Sequence, residues 1–261
     1  MTVLTRPVTV PRSVLLHVWQ LEGLGDSPPV FGADDIYVSQ QRRAEHDREC
    51  FRLLEQLGVA HGDMLTREFR VALRILAAPS RELYCWSTVN GPGNGPGDGS
   101  GNGPGNGSAK RKFAAAIAGG EGVAVQVRGD LVSFVGFEER HFIDDFVSEL
   151  PQYPAASVPE MHITRAAFEQ RDERHDMFAA KQPPEKQLEK LMKAPRLGVH
   201  QVYVAGTVNG THQRSKPFTV IDIRDQGRVL TFTDGRGDIH CLPGTPANLA
   251  KTFLATWQSM S

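Results

Sequence analysis

Histidine and cysteine are the residue types in this chain that most readily bind a metal ion. The sequence contains nine histidines and three cysteines. His240 and Cys241 are adjacent, but neither belongs to a C-x-x-C or H-x-x-x-H pattern with zinc-site spacing. Adjacent strand residues point to opposite faces of a sheet, so these two side chains cannot share an ion. We therefore predict no metal site, and we expect His17 to pack in a core or an interface.

Paired carboxylates are the second feature that could do chemistry, because two neighbouring acids can divide acid–base work between them. Asp34–Asp35 and Asp144–Asp145 are such pairs. We expect each pair at or near a helix start or on a solvated surface, where the helix dipole favours acids. The chain has no G-x-S-x-G, Walker A or Rossmann string, and its glycine-rich segment lacks the lysine of a phosphate cradle. We predict a protein that is not an enzyme and has no cofactor.

Length and composition indicate a folded intracellular protein. The chain has 261 residues, a formal net charge of -1 and 40% hydrophobic residues. A near-neutral charge gives no electrostatic footprint for nucleic acid or anionic membranes. Cys50, Cys85 and Cys241 are widely spaced, which is typical of free thiols in a reducing compartment. We find neither a signal-peptide pattern nor the ~20 apolar residues of a membrane span, so we predict a cytoplasmic protein.

Two stretches of the chain repeat one plan of alternating strands followed by an amphipathic helix. In the second half, HQVYVAGTV, KPFTVIDI and RVLTFTD precede PGTPANLAKTFLATW. In the first half, RELYCWSTV, KFAAAIA, GVAVQVR and LVSFVGF precede HFIDDFVSEL. The pattern predicts an α+β protein with a pseudo-twofold, mostly antiparallel central sheet flanked by helices. We predict an N-terminal subdomain over 1–155 and a C-terminal subdomain over 156–261 that share this sheet.

Further helices are expected ahead of each run of strands. Apolar spacing predicts helices from about Ser39 to Leu57, from about Met64 to Ala77 and from about Glu185 to Met192. Thr245 is the expected cap of the last helix, with proline at its first position. Three large apolar residues share one face of that helix: Leu249, Phe253 and Trp257. Asn209–Gly210 is a strong signal for a tight hairpin between two strands.

These elements carry a resemblance to a known family. The block VYVAGTV…FTVIDIRDQGRVLTF…PGTPANLAKTF resembles the C-terminal signature of the EspG family, the cytosolic chaperones of type VII (ESX) secretion. The first half is similar as well, with LLEQLGV, ILAAPSRELY and GVAVQVRGDLVSFVGF in the same order. The resemblance implies a non-enzymatic function: binding the helical tip of a PPE-type substrate in a PE–PPE heterodimer, which keeps it soluble and targets it for export. It also implies a binding surface made by the open sheet face, the first-hairpin loop and a C-terminal helical bundle.

The first-hairpin loop, from Asn90 to Gly107, departs from the family pattern. It reads NGPGNGPGDGSGNGPGNG, a composition typical of a flexible coil whose ends lie roughly 20–25 Å apart. Ordering such a segment on a partner would cost about 1–2 kcal/mol per residue, with almost no side chains to offset the cost. We therefore predict that the loop stays mobile and that recognition depends on the sheet face and helices. A neutral low-complexity expansion is the alternative interpretation of the same residues.

Shortening this loop tests that prediction. Replacing residues 90–107 with a four-residue turn changes the loop-closure entropy by only ~1–1.5 kcal/mol. We expect the affinity for the partner, measured by titration calorimetry, to stay within about threefold, since a loop that stays mobile contributes no ordered contacts. A loss of more than about tenfold would contradict the prediction, because it would mean that the loop contributes directly to binding.

The strand HQVYVAGTV has two faces that differ in character. Val202, Val204 and Val208 lie on one face, which we expect to pack under helices. The other face is left for the partner. The predicted partner-binding residues are Gln201, Tyr203 and Thr207, together with their neighbours Arg214 and Thr219. A one-residue shift in register would expose the valine face instead, and this alternative stays open.

Two other functions are compatible with the same sequence. One is a generic dimeric protein-binding adaptor without a secretion role, and the other is an enzyme with a cleft between the two halves. An exposed sheet face also favours self-association, so a weak homodimer is compatible with the pattern. Gene neighbourhood separates the adaptor from a secretion chaperone, and perturbed pKa values in one deep pocket would favour the enzyme.

Overall fold

A computed structural model describes residues 2–32, 40–90, 108–169 and 183–260 of the chain. The acidic pair Asp34–Asp35 and the glycine-rich loop after Asn90, including Gly107, lie outside the described residues. The fold is α+β, as predicted, with one large antiparallel sheet and helices against both of its faces. The Asp144–Asp145 pair lies in the first turn of a helix, where the helix dipole favours acids.

The elements are numbered in chain order. The strands are β1 (Val8–Pro11), β2 (Ala60–His61), β3 (Met64–Leu65), β4 (Arg81–Val89), β5 (Ala109–Ala118), β6 (Glu121–Arg128), β7 (Leu131–Glu138), β8 (Met161–Ile163), β9 (Arg196–Val208), β10 (Thr211–Arg214), β11 (Phe218–Ile223), β12 (Gly227–Thr233) and β13 (Ile239–Pro243). The α-helices are α1 (Arg12–Leu21), α2 (Gln40–Gln56), α3 (Arg67–Ala77), α4 (Phe142–Ser148), α5 (Arg165–Glu169), α6 (Pro184–Lys193) and α7 (Pro246–Met260). Short 3-10 turns cover Pro29–Phe31 and Glu139–His141.

The strand order of the large sheet is symmetric about its centre. The order is β1-β7-β6-β5-β4-β9-β11-β12-β13-β8, and β10 pairs with the second part of β9. From the central β4–β9 pair, each half runs outward through its later strands and ends on its own first strand, β1 or β8. Tyr84 and Tyr203 face each other at the middle of the central pair. The division into subdomains at 155/156 stays a prediction.

One face of the sheet, here called the covered face, packs under α4 and α7. Val202 and Val204 are fully buried on this face, as expected for the valine face of β9. Phe146 from α4 and Phe253 from α7 pack edge to face above them in the same cluster. The Trp257 indole donates a hydrogen bond of 3.1 Å to the Ala205 carbonyl and joins α7 to the centre of the sheet. The final helix therefore buries the apolar face that its spacing predicted.

On the opposite face of the sheet, the helices of the described ranges cover the two ends. At one end α1 and α3 pack on β1 and β4–β7, through residues such as Trp19 and Phe69. At the other end α6 packs on β8 and β11–β13 through Leu188 and Leu191. The central strands between these helices keep half-buried and exposed side chains on this face.

Threonine hydroxyls cap the starts of α3, α5 and α7. The hydroxyl of Thr245 accepts a hydrogen bond from the Asn248 amide at the start of α7, as predicted. The predicted start of α3 at Met64 is wrong, because Met64–Leu65 form β3 and pair with Ala60–His61. Thr66 caps α3 instead, and its hydroxyl accepts a hydrogen bond from the Phe69 amide. The apolar spacing of the helix continues into β3, which concealed this boundary.

Candidate partner-binding surface

The five predicted partner-binding residues share the face of the sheet that lies opposite α4 and α7. Gln201 and Tyr203 lie on β9, and Thr219 of β11 pairs directly with Gln201. Arg214 of β10 pairs with Ala205, and Thr207 lies at the exposed end of β9. Since paired residues share a face, all five point away from the covered face. We call the open part of this face, together with the buried Tyr84 beneath it, the central strip; it comprises Tyr84, Trp86, Gln201, Tyr203, Arg214 and Thr219.

Three aromatic side chains form the middle of the central strip. Tyr84 and Tyr203 stack with ring centroids 5.0 Å apart, and Trp86 packs edge to face against both, at 5.3 Å and 5.1 Å. Tyr84 is fully buried beneath, whereas Trp86 and Tyr203 are half-buried and present part of their surface to solvent. Rigid aromatic groups with one exposed side are frequent energetic anchors of protein interfaces.

Sequence reasoning missed Tyr84 and Trp86, although the signal was present. In RELYCWSTV the two aromatic residues are two positions apart on one strand, so they share a face. What the sequence alone did not show is that β4 pairs with β9, which brings them beside Tyr203. This pairing joins strands from opposite halves of the chain.

Arg214 closes one side of the aromatic cluster. Its guanidinium lies 5.8 Å from the centre of the Tyr203 ring, within the range of a cation–π contact. It also interacts with the Tyr84 hydroxyl. That contact is not a well-aligned hydrogen bond, since the Tyr84 hydroxyl has no partner of hydrogen-bond geometry within the described residues. Burial raises the pKa of Tyr84, so this side chain stays neutral.

The short strand β10 is held beside the central strip by a tight turn and an ion pair. Asn209 and Gly210 have φ values of 50° and 77°, the left-handed conformations that a two-residue hairpin turn requires. His212 Nε2 lies 3.4 Å from a carboxylate oxygen of Glu82, which is buried on β4. The hydrogen-bonding contact with Glu82 raises the pKa of His212 above its usual 6.5, against the lowering effect of burial.

The raised pKa gives a testable pH dependence. A histidine with a raised folded-state pKa contributes stability that is present below its unfolded pKa and lost as pH rises through the folded value. We therefore expect the imidazole of His212 to titrate above 6.5 in a two-dimensional NMR titration, and β10 to be held less firmly at higher pH. Glu82→Gln should lower the midpoint towards 6.5; an unchanged midpoint in this variant would contradict the assignment.

A serine, a histidine and an aspartate are aligned on the covered face. Ser87 Oγ lies 2.7 Å from His200 Nδ1, and His200 Nε2 lies 3.1 Å from Asp222. Such a row resembles the arrangement of a hydrolase triad. However, Ser87 is only 2% exposed and His200 is fully buried, so a substrate carbonyl cannot reach the hydroxyl. These three side chains therefore belong to the buried core of the protein.

Asp222 also pairs with a buried arginine, so the serine–histidine–aspartate row is part of a buried structural network. Arg228 donates two hydrogen bonds to the Asp222 carboxylate, of 2.6 Å and 2.9 Å, and a third of 2.6 Å to the Pro151 carbonyl. The network thereby fastens the connecting segment around Pro151 to the second half of the sheet. A cavity of about 270 Å³ lies beside Arg228, and neither Ser87 nor His200 lines it.

Comparison with known proteins decides the family. The sequence model of the EspG family matches residues 11–252, which is nearly the whole chain. This chain belongs to the EspG family. No curated protein matches it by sequence. Among solved structures, this EspG-family fold is similar to the Mycobacterium tuberculosis type VII secretion system chaperone EspG5, solved in complex with the PE25–PPE41 dimer.

The structural similarity to EspG5 extends over both chains. It has a TM-score of 0.64 at 14% sequence identity and covers 94% of this chain and 93% of that chain. At this level of identity the similarity shows that the fold is shared. Among the described residues of this EspG-family protein, no helix is long and apolar enough to cross a membrane.

A histidine-rich cluster on the outer strands of this EspG-family protein involves His240, which sequence analysis had set aside as a ligand. His240 lies 3.1 Å from Asp234, and its ring stacks on His162 with centroids 4.7 Å apart. His162 in turn lies 3.1 Å from Asp238. Cys241 points the other way and is buried, as the alternation of strand residues predicted. Each of these two histidines has a carboxylate partner, and the cluster contains no thiol.

Proposed function

We propose that this protein is a type VII secretion chaperone that binds a PE–PPE substrate pair in the cytoplasm and targets it for export. Membership of the EspG family over residues 11–252 supports this function, and so does the shared fold with EspG5, which was solved with the PE25–PPE41 dimer. The observation that carries the proposal is the fit of family and fold over nearly the full length of the chain.

We propose the central strip as the surface that contacts the PPE-type substrate. No helix of the described ranges packs on it, and it combines exposed polar groups such as Gln201 with the half-buried rings of Trp86 and Tyr203. A helical tip presents both apolar and polar side chains, so such a mixed surface can match it. Thr207 extends the surface along β9, where it pairs with His212 of β10. The covered face offers less to a partner, because α4 and α7 occupy it.

We propose that binding involves no catalysis. The one serine–histidine–aspartate row among the described residues is buried, and its aspartate is engaged by Arg228. The cavity beside Arg228 has Asp144 as the only carboxylate in its lining, without a histidine or cysteine to share acid–base work. A binding protein needs neither a reactive pair nor a deep pocket.

Co-expression with candidate PE–PPE pairs tests the proposal. We expect size-exclusion chromatography with light scattering to show a 1:1:1 complex with one such pair. A dimer of this chain alone, with no PE–PPE pair co-eluting, would favour the adaptor alternative. Turnover of a small metabolite by the purified protein would favour the enzyme.

A further inference from the structure

The helices α1 and α2 bring three metal-ligating side chains together away from the central strip. His17 of α1 meets His46 and Cys50 of α2, and one ligand atom from each lies within 4.8 Å of the others. The two imidazole rings pack edge to face with centroids 4.5 Å apart. Sequence analysis missed this group, because its H-x-x-x-C pattern is completed by a histidine from another helix.

The spacing of the two ligands on α2 fits a tetrahedral ion. His46 and Cys50 are four residues apart, so they share one face of the helix. Bonds of roughly 2.3 Å to sulfur and 2.0 Å to nitrogen, at a tetrahedral angle, place the two ligand atoms about 3.5 Å apart. The observed distance from Cys50 Sγ to His46 Nε2 is 3.7 Å. An ion can therefore bind these two groups with little movement of the helix.

Asp47 supplies the carboxylate that orients the third ligand. His17 Nε2 lies 2.6 Å from Asp47 Oδ1. A histidine that donates one ring N–H to a carboxylate keeps its other nitrogen free as an acceptor, the arrangement common around metal-bound imidazoles. The His17 and Asp47 side chains are 12% and 31% exposed, which opens the group to solvent on one side. Cys50 lies on the inner side and is 3% exposed.

We propose that His17, His46 and Cys50 bind a zinc-type transition-metal ion, with Asp47 positioning His17. Binding would release the proton of the Cys50 thiol, and two imidazoles with one thiolate form a ligand set that suits zinc better than the oxygen-binding ions magnesium and calcium. Water from the exposed side takes the fourth position. The bound ion would join α2, whose first described turns are exposed and polar, to α1, which packs on the sheet. It would stabilise the N-terminal half of the chain without contacting the central strip.

The second histidine cluster provides a control within the same chain. His162 and His240 also lie close to a carboxylate, and the group with Asp234 is compact enough for an ion. It has no thiol, and the His162 side chain is 54% exposed. Replacing His162 should therefore leave unchanged any absorption that arises from a metal–thiolate bond.

Cobalt binding to the full chain tests the proposal. The reduced protein, freed of metal with a chelator, is titrated with Co²⁺ and then with Zn²⁺. We expect one Co²⁺ per chain with the near-ultraviolet thiolate-to-cobalt absorption, its displacement by Zn²⁺, and a higher Tm with Zn²⁺. Cys50→Ala should abolish the absorption, and His46→Ala and Asp47→Asn should each weaken affinity by roughly tenfold or more. His162→Ala should behave like the wild type.

The outcomes separate the alternatives. Absence of the thiolate-to-cobalt absorption from the wild type, or its persistence in Cys50→Ala, would overturn the site. Loss of binding in His162→Ala but not in His46→Ala would place the ion in the other cluster and also overturn it. If Cys50→Ala fails to fold, His46→Ala decides, because His46 is only half-buried on α2. Far-ultraviolet circular dichroism of each metal-free variant checks that it is folded.

Discussion

Replacing Asp222 with asparagine is expected to lower the free energy of unfolding by about 3–5 kcal/mol. The change removes the charged partner of Arg228, which is 6% exposed and donates hydrogen bonds to both carboxylate oxygens of Asp222. A buried charge without its partner costs far more than a broken surface ion pair. Because a domain of this kind is stable by only about 5–15 kcal/mol, the loss should be plain in a urea denaturation curve.

Asp225→Asn is the matched control for this substitution. Asp225 lies three residues further along, is exposed, and has a φ of 60°, which asparagine tolerates well. The free energy of unfolding of the Asp225→Asn variant should stay within about 0.5 kcal/mol of the wild-type value. Equal, small effects at both positions would show that the buried network contributes little to stability and that the role given to Arg228 is wrong.

Lowering the pH should destabilise the wild type partly as Asp222→Asn does. Burial on its own raises the pKa of Asp222, but the hydrogen bonds from Arg228 and His200 outweigh it and hold the pKa below its usual 3.8. A lowered carboxyl pKa gives stability that is complete above the unfolded value and lost as pH falls through the folded value. The advantage of wild type over Asp222→Asn should therefore be constant between about pH 7 and 5 and shrink only below about pH 4.

Tyr203→Ala is expected to weaken binding of the PE–PPE pair by at least roughly thirtyfold, or about 2 kcal/mol. The ring of Tyr203 stacks on Tyr84 and lies under Arg214, so it is held in place before the partner arrives. A pre-ordered aromatic group loses little entropy on binding, which makes its truncation costly. The dissociation constant can be measured by surface plasmon resonance with the immobilised PE–PPE pair.

Tyr153→Ala controls for the general loss of a tyrosine. Tyr153 is also half-buried, and its hydroxyl donates a hydrogen bond to the Ile223 carbonyl, but it lies outside the central strip. We expect its affinity for the pair to stay within about threefold of the wild type. A larger loss in Tyr153→Ala than in Tyr203→Ala would move the binding surface away from the central strip.

The sheet and its helices could be predicted because their signals are local. Alternating residues mark the strands, Asn209–Gly210 marks a turn that needs two left-handed residues, and Thr245 caps α7. The position of α7 on the sheet follows from its apolar face, which ends at Trp257. Each of these features is fixed by the conformational preference or the packing of a few neighbouring residues.

The parts that escaped prediction depend on contacts between distant segments. The strand β10 reads THQR, with no apolar residue and no alternation, and it is held by Glu82 from the other half of the chain. The aromatic cluster needs the β4–β9 pairing to bring Trp86 beside Tyr203. His17 meets Cys50 only because α1 and α2 pack together in the fold. No spacing rule within one segment contains this information.

Hydroxyl-radical footprinting of the protein, free and bound to a PE–PPE pair, tests most directly whether the open sheet face holds the substrate. The method reads the solvent access of reactive aromatic side chains. We expect oxidation of Trp86 and Tyr203 to fall in the complex while oxidation of Tyr153 stays the same. Unchanged oxidation of Trp86 and Tyr203 in a fully formed complex would contradict the account, because the substrate would then bind elsewhere on the molecule.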